Sequence, residues 1–303
     1  MTDLQRVFPL VLFALASSCG GKDADDTAAT TRGDCNTVNG GSHCLLPFPS
    51  SFFLREDAGT VTGYRVDYGS TSLPINEQDL RVDPTCWNEK DGFSTVGTLY
   101  LDFPGVRLEG TAGVASIGDS LDEASRTVIL DAETGERVPH WVELHDLTPD
   151  PDRKPLMLRP AVPLAHARRY VVGIRGLVDA SGVMAAPSGF RELRDGTPGD
   201  ASVEWQRAHY EDAIFPRLQD AGFARDELQM AWDFVTVSKE SSLGRALHIR
   251  DDALERLPAG GPPYVIHDVV DADCSVDGTS IWRTLEGTFT SPSYLTNWAH
   301  QEG

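Results

Sequence analysis

Apolar positions along this chain change period several times, and each change marks a segment. Residues 7–16 (VFPLVLFALA) form one continuous apolar run. The run is too short to cross a bilayer, which takes about 20 apolar residues. Residues 20–34 then carry no aromatic and no branched aliphatic side chain. Such a stretch buries too little surface to offset the entropy of ordering, so it reads as a flexible tether. Its average reach is roughly 20 Å. Residues 45–53 (LLPFPSSFF) are apolar again but broken by prolines. That pattern forbids a regular helix and predicts an extended segment laid on a domain surface. Short strands are expected at 60–68 and 72–75.

From about 92 to 194 the alternation has period two. Strands are expected at 96–103, 126–131, 137–145, 156–159 and 169–174, each stopped by a Pro or Gly turn or spaced by one. Tyr170, Val172 and Ile174 share one face, and residues 179–182 (DASG) make a tight turn. Several short strands with turn signals between them indicate a sandwich or barrel. The period then becomes helical. Residues 198–222 place Tyr210, Ile214, Leu218 and Ala221 on one stripe. Asp200 or Ser202 can cap this helix, Gly222 stops it, and Pro216 kinks it. Residues 228–237 read as a strand. Ser238 caps a second helix to about 257, which the Pro- and Gly-rich 258–263 ends. Two strands, 264–270 and 281–290, follow.

The expected fold class is mainly β with an α+β part. Its divisions are a signal at 1–18, a tether at 19–34, an extended and strand segment at 35–91, a β-sandwich at 92–197 and an α+β region at 198–303. Charge then narrows the partners. The chain carries a net charge of −20, and removing residues 1–18 takes away one acid and one base, leaving that balance unchanged. Such a surface repels phosphate backbones, so nucleic acid is excluded as a partner. Hydrophobic residues make up 40% of the chain, enough for real cores.

The first nineteen residues have a basic n-region, a short apolar h-region and small residues before Cys19. That layout describes an export signal. It resembles a bacterial lipoprotein signal, which implies that Cys19 is the acylated first residue of the mature protein. The leucine often found three residues before such a cysteine stands one place earlier here, at Leu15. The implied location is an exported, membrane-anchored lipoprotein of the outer membrane or cell surface. Four further cysteines remain: Cys35, Cys44, Cys86 and Cys274. An even count in an exported protein points to two disulfides. Cys35 and Cys44 flank a turn-rich loop, whose closure contributes about 2–3 kcal/mol in the loop-entropy description. Cys86 and Cys274 then pair by elimination or stay as two free thiols.

Two wider resemblances follow. Residues 158–164 (LRPAVPL), 169–174 (RYVVGI) and 178–182 (VDASG) resemble the bacterial Ig-like modules of exported proteins. Residues 44–50 (CLLPFPS), Trp87, Asn88, Asp91–Ser94, 130–140 (LDAETGERVPH), 231–234 (AWDF), 248–251 (HIRD) and 285–289 (LEGTF) resemble the N-terminal part of large exported bacterial α/β-hydrolases of the lipase or esterase type. The resemblance covers roughly residues 35–303. It implies an accessory, β-rich region that precedes a catalytic domain, with the catalytic half missing from this chain.

The candidate chemistry agrees with that implication. No serine has the G-x-S-x-G surroundings of a hydrolase nucleophile elbow. Ser120 lies in Gly118-Asp119-Ser120-Leu121, the signature of GDSL esterases, but no histidine follows an aspartate by three. Ser120 therefore reads as a loop serine. His140 and His145 sit five apart on a strand, on opposite faces, so they share no metal. His248 suits a solvated network with Arg250, Asp251 and Asp252, and His43 and His166 read as loop residues. Asp23, Asp25 and Asp26 lack the Gly and Glu of a calcium loop and read as an acidic spacer. No cofactor or metal is expected. The expected function is a non-catalytic accessory region of a truncated or split hydrolase, anchored to the membrane through lipid and partnered by a downstream hydrolase domain. Two alternatives are a self-contained lipoprotein that binds a glycan or protein through exposed aromatics such as Trp87 or Trp298, and a serine esterase using Ser120.

Overall fold

The computed structural model describes residues 32–40, 43–146, 148, 150, 153–271 and 280–294. Cys19, the tether up to residue 31, Cys274 and Trp298 lie outside these residues. In chain order, β1 (Leu54–Glu56) pairs with β2 (Tyr64–Val66), and the short α1 (Thr85–Asn88) follows. Five strands come next: β3 (Leu99–Leu101), β4 (Thr127–Asp131), β5 (His140–Leu144), β6 (Leu156–Pro160) and β7 (Arg169–Arg175). The 179–182 turn closes a small hairpin of β8 (Val178–Asp179) and β9 (Gly182–Val183). Helices α2 (Ser188–Asp195), α3 (Ala201–His209) and α4 (Phe215–Asp220) precede β10 (Leu228–Val235). The chain then forms α5 (Lys239–Arg256) and a hairpin of β11 (Tyr264–Asp271) and β12 (Arg283–Phe289). The fold is α+β with substantial β content in several small sheets.

Two three-stranded antiparallel sheets, ordered β3-β6-β5 and β10-β7-β4, form the body. Their side chains join one continuous buried cluster that includes Leu99, Leu101, Leu156, Leu158, Ile129, Val172 and Trp232. All eight residues of β10 are buried. The register explains this. Trp232 lies opposite Val172 and Phe234 opposite Tyr170 on one face, while Ala231 and Asp233 lie opposite Gly173 and Val171 on the other. The second face is covered by helices. Leu218 of α4 sits over Gly173 so closely that an added Cβ would come within 2.6 Å of it. Tyr210 Oη donates to Ala231 O at 2.7 Å. A strand buried on both faces reads as a near-continuous apolar run, which β10 does.

The sheet also crosses the expected division at 197. β10 belongs to the segment read as a separate α+β region, yet it pairs along its length with β7. The 45–53 segment departs from its expectation in the same direction. It is not laid on a surface: Phe52 and Phe53 are buried in the core, and Trp232 Nε1 donates to Pro49 O at 2.9 Å. Phenylalanines at its end supply apolar area that a surface position would leave wet.

The long helix breaks as its proline requires. Asp200 caps α3 by accepting from Val203 N at 3.0 Å. A π-type turn, Tyr210–Ile214, separates α3 from α4, and Pro216 stands in the first turn of α4. Pro216 lacks an N–H and crowds the preceding turn, so the widened turn accommodates it. Ser238 caps α5 as expected, accepting from Ser241 N at 3.0 Å. The expected strand at 72–75 is reduced to a single bridge between Ile75 and Arg81. Helix α2 carries only two large buried side chains, Phe190 and Leu193, and shows no periodic stripe in the sequence.

The Cys35–Cys44 disulfide is formed, with Cα atoms 4.3 Å apart. Its loop is not an isolated surface feature. Asn36 is buried and accepts from Gln206 Nε2 of α3 at 3.2 Å, while Phe190 N of α2 donates to Val38 O at 3.0 Å. The disulfide thus holds the loop against two helices. Cys86 is a free, exposed thiol, and Cys274, its partner by elimination, lies outside the described residues.

Candidate functional site

Ser120 is fully buried in a 3-10 segment, Val114–Leu121, rather than in an open loop. Its hydroxyl donates to Ile117 O at 2.7 Å and accepts from His140 N at 3.0 Å. Its proton and one of its lone pairs are therefore committed to the fold. The His140 ring is buried as well, with Nδ1 2.9 Å from Val138 O and Nε2 2.8 Å from Thr127 Oγ1. A carbonyl only accepts, so Nδ1 carries the proton and Nε2 accepts from the Thr127 hydroxyl. Burial pushes the His140 pKa down to about 4. His145 and His166 bond to Thr148 Oγ1 and Val237 O, each at 3.0 Å. Among the described residues no group of three or more His, Cys, Asp or Glu side chains is placed to hold a metal ion.

The most organised polar chemistry lies elsewhere, in a cleft of about 810 Å³. Its walls come from residues 32–34, the turn at 50–52, β1, β2 and the end of α3, and its floor from Trp232 and Asp233 of β10. Asp233 is only 2% exposed. Its carboxylate is ion-paired with Arg169 of β7 and accepts from His209 Nε2 of α3 at 3.0 Å. Arg169 also donates to Tyr64 Oη at 3.0 Å and Ser51 Oγ at 3.4 Å, and its guanidinium lies 5.3 Å from the Tyr64 ring centre. Burial works to raise the Asp233 pKa, but the hydrogen bond and charge of His209 and the charge of Arg169 outweigh it. The carboxyl is held below its usual range. Burial likewise opposes the charge on Arg169, and the Asp233 carboxylate more than restores it.

A second fixed group stands at the rim. Arg32 donates to Asp67 Oδ2 and Asp67 O, both at 2.8 Å, and to Leu54 O at 3.3 Å. Its guanidinium lies 5.5 Å from the Phe52 ring centre and 5.8 Å from that of Trp205. Phe52 and Trp205 meet edge to face at 5.7 Å. Trp205, on α3, is nevertheless 40% exposed. The cleft thus presents one aromatic surface beside charged groups that are already locked in place.

Arg169 and Asp233 fall inside the stretches 169–174 and 231–234 that carry the resemblances, but neither they nor His209 form a motif of known site chemistry. The available signal is an acid at position 233 in LQMAWDFV, a strand otherwise apolar on both faces apart from Gln229. A charge in such a strand needs a buried counterion. Of the exposed aromatics proposed as contacts, Trp87 is half exposed on α1 and does not line this cleft.

Two outcomes follow from these bonds. Asp233→Asn leaves Arg169 buried without its counterion, and urea unfolding at neutral pH should register a loss of about 3–5 kcal/mol. A loss below about 1 kcal/mol would show that the pair is not buried as described. His140 stays neutral in the folded chain down to about pH 4, whereas unfolded it takes up a proton near its ordinary 6.5. In that window the unfolded state binds more protons, so stability falls as pH falls, by about 3 kcal/mol in all. His140→Gln should flatten the pH dependence of the urea midpoint between those limits, and an unchanged slope would contradict the assignment.

No protein-family model, curated protein or solved structure matches this chain, so its own chemistry carries the functional reading.

Proposed function

We propose that this chain is the tethered accessory region of an exported, hydrolase-like lipoprotein, and that it seats a following α/β domain rather than performing catalysis. The observation that carries this reading is the β11–β12 hairpin. Every residue of both strands is exposed, including Tyr264, Val265, Ile266, Val269, Val270, Leu285 and Phe289. The register, shifted between Ile266 and Asp268, gathers Tyr264, Ile266, Val269, Leu285 and Phe289 on one face, while the other carries Val265 and Val270 among Asp268, Thr284, Glu286 and Thr288. A two-stranded ribbon alone is marginal in water, and large exposed apolar patches mark interaction surfaces. A ribbon with one strongly apolar face suits packing through that face on a neighbouring domain.

Other features support the same reading. Helix α5, which leads to the hairpin, has no buried residue. It starts from a firm footing: Ser238 is fully buried, its N–H donates to Asp91 Oδ1 at 3.0 Å, and Lys90 Nζ donates to Ser241 O at 3.3 Å. A rigid joint followed by an uncovered arm fits a body that positions a neighbour. The apolar run at 7–16, Cys19 and the polar stretch after it fit a lipid anchor and spacer. Two antiparallel sheets whose side chains share one buried cluster fit an Ig-like sandwich, with β10 as an addition from later in the chain. The burial of Ser120 speaks against its use as a nucleophile, which needs an exposed hydroxyl and a positioned base.

Hydrogen exchange compares this chain with the product of the same frame extended through its downstream coding sequence. Amides of 264–271 and 283–289 should be protected at least about tenfold more in the longer protein. Equal exchange in the two proteins, or protection in the short chain through a discrete homodimer, would contradict the proposal.

A further inference from the structure

The cleft over Asp233 is separate from the hairpin, since none of its lining residues lies in 239–294. We propose that this cleft is a carbohydrate-binding site, in which a neutral, hydroxyl-rich sugar stacks on Trp205 and bonds to the charged groups at the rim. The inference stands independently of the accessory-region reading.

Size is the first argument. A cleft of about 810 Å³ lies within the range of small-molecule sites and holds more than a single sugar ring. The aromatic surface is the second. Trp205 lines the cleft and remains 40% exposed, with Phe52 edge to face at 5.7 Å and the Arg32 guanidinium 5.8 Å from its ring centre. It is carried by a capped helix rather than a loop, with Phe52 and Arg32 against its ring. The C–H face of a pyranose is flat and weakly apolar, and it packs on such a ring while its hydroxyls stay at the periphery.

Charge decides the class of ligand. Three arginines, Arg32, Arg55 and Arg169, share the cleft with four carboxylates, Asp34, Glu56, Asp67 and Asp233. The charges nearly cancel, so the cleft offers no strong field to a phosphate, a polycarboxylate or a polyamine. It does offer many planar donors and acceptors. Guanidinium and carboxylate groups each present two parallel bonding directions, which match pairs of adjacent hydroxyls. Their positions are already set. Asp67 and Leu54 O hold Arg32, and Asp233, Tyr64 and Ser51 hold Arg169. A ligand that meets fixed groups loses less affinity to their ordering. The alternative reading by sequence named Trp87 or Trp298 as contacts for a glycan or a protein; Trp298 lies outside the described residues, and the aromatic side chain exposed at this cleft is Trp205.

The test uses the full chain in a detergent without a sugar head group. Maltotriose and chitotriose are the neutral probes, and trigalacturonate and inorganic phosphate are the anionic ones, each followed by saturation-transfer NMR and by the indole N–H resonance of Trp205. At least one neutral probe should bind saturably with a Kd of about 1 mM or tighter and shift that resonance. Trp205→Ala and Arg32→Ala should each weaken it at least about tenfold with unchanged circular dichroism, while Trp87→Ala should leave it unaltered. If Trp205→Ala fails to fold, the Trp205 resonance in the unaltered protein decides. Absence of saturation by both neutral probes, a silent Trp205 resonance, full binding by Trp205→Ala, or equal binding of the anionic probes would each overturn the proposal.

Discussion

A carboxylate that leaves water must find partners that replace its hydration, and Asp233 is the place where this fold meets that demand. Its partners come from three directions. Arg169 reaches it from the neighbouring strand β7, His209 from the end of α3, and through Arg169 the contact extends to Tyr64 of β2 and Ser51 of the 50–52 turn. Sheet, helical layer and N-terminal segment are therefore registered to one another at a single charge. A buried ion pair is weak evidence for net stability, because desolvation offsets much of the attraction. Its consequence here is placement. A one-residue slip of β10 would turn Asp233 toward the apolar face that Trp232 and Phe234 occupy, and Arg169 would lose its partner.

The same constraint shapes the cleft. Because Asp233 needs α3 nearby, Trp205, one turn before His209, is brought to the rim beside Arg32, which Asp67 holds. The Cys35–Cys44 loop reinforces this arrangement by bonding to α2 and α3 through Val38 and Asn36. Body and arm then differ sharply in how their apolar residues are spent. In the body, Phe52, Phe53, Phe190 and Trp232 are buried, whereas in the hairpin Tyr264, Trp282 just before β12, and Phe289 are 70%, 67% and 69% exposed. That contrast separates a body whose large apolar residues are buried from an arm whose large apolar residues meet solvent.

Much of the secondary structure was legible because it is local. Strands β4 to β7 fall where short apolar segments between turn signals place them, Asp200 and Ser238 cap the helices they precede, and Pro216 marks the break between α3 and α4. Long-range facts were less accessible. Nothing in residues 45–53 tells a surface segment from one whose phenylalanines enter the core, because that depends on Trp232, far along the chain, bonding back to Pro49. The pairing of β10 with β7 across the expected division at 197 is of the same kind. Helix α2 escaped notice because two buried positions make no periodic stripe. Of the candidate site, only Asp233 left a trace, as a charge inside an otherwise apolar strand. Arg169 and His209 carry ordinary surface-like signals and acquire their role only through the fold.

The central claim is that Asp233 and Arg169 act as one buried unit. A double-mutant cycle with Asp233→Leu, Arg169→Met and the pair together, followed by urea unfolding at neutral pH, measures this directly. Each single variant should cost more than the double, with a coupling of at least about 2 kcal/mol, because each leaves one buried charge unpaired. Additive losses, with the double variant the least stable of the three, would contradict the account.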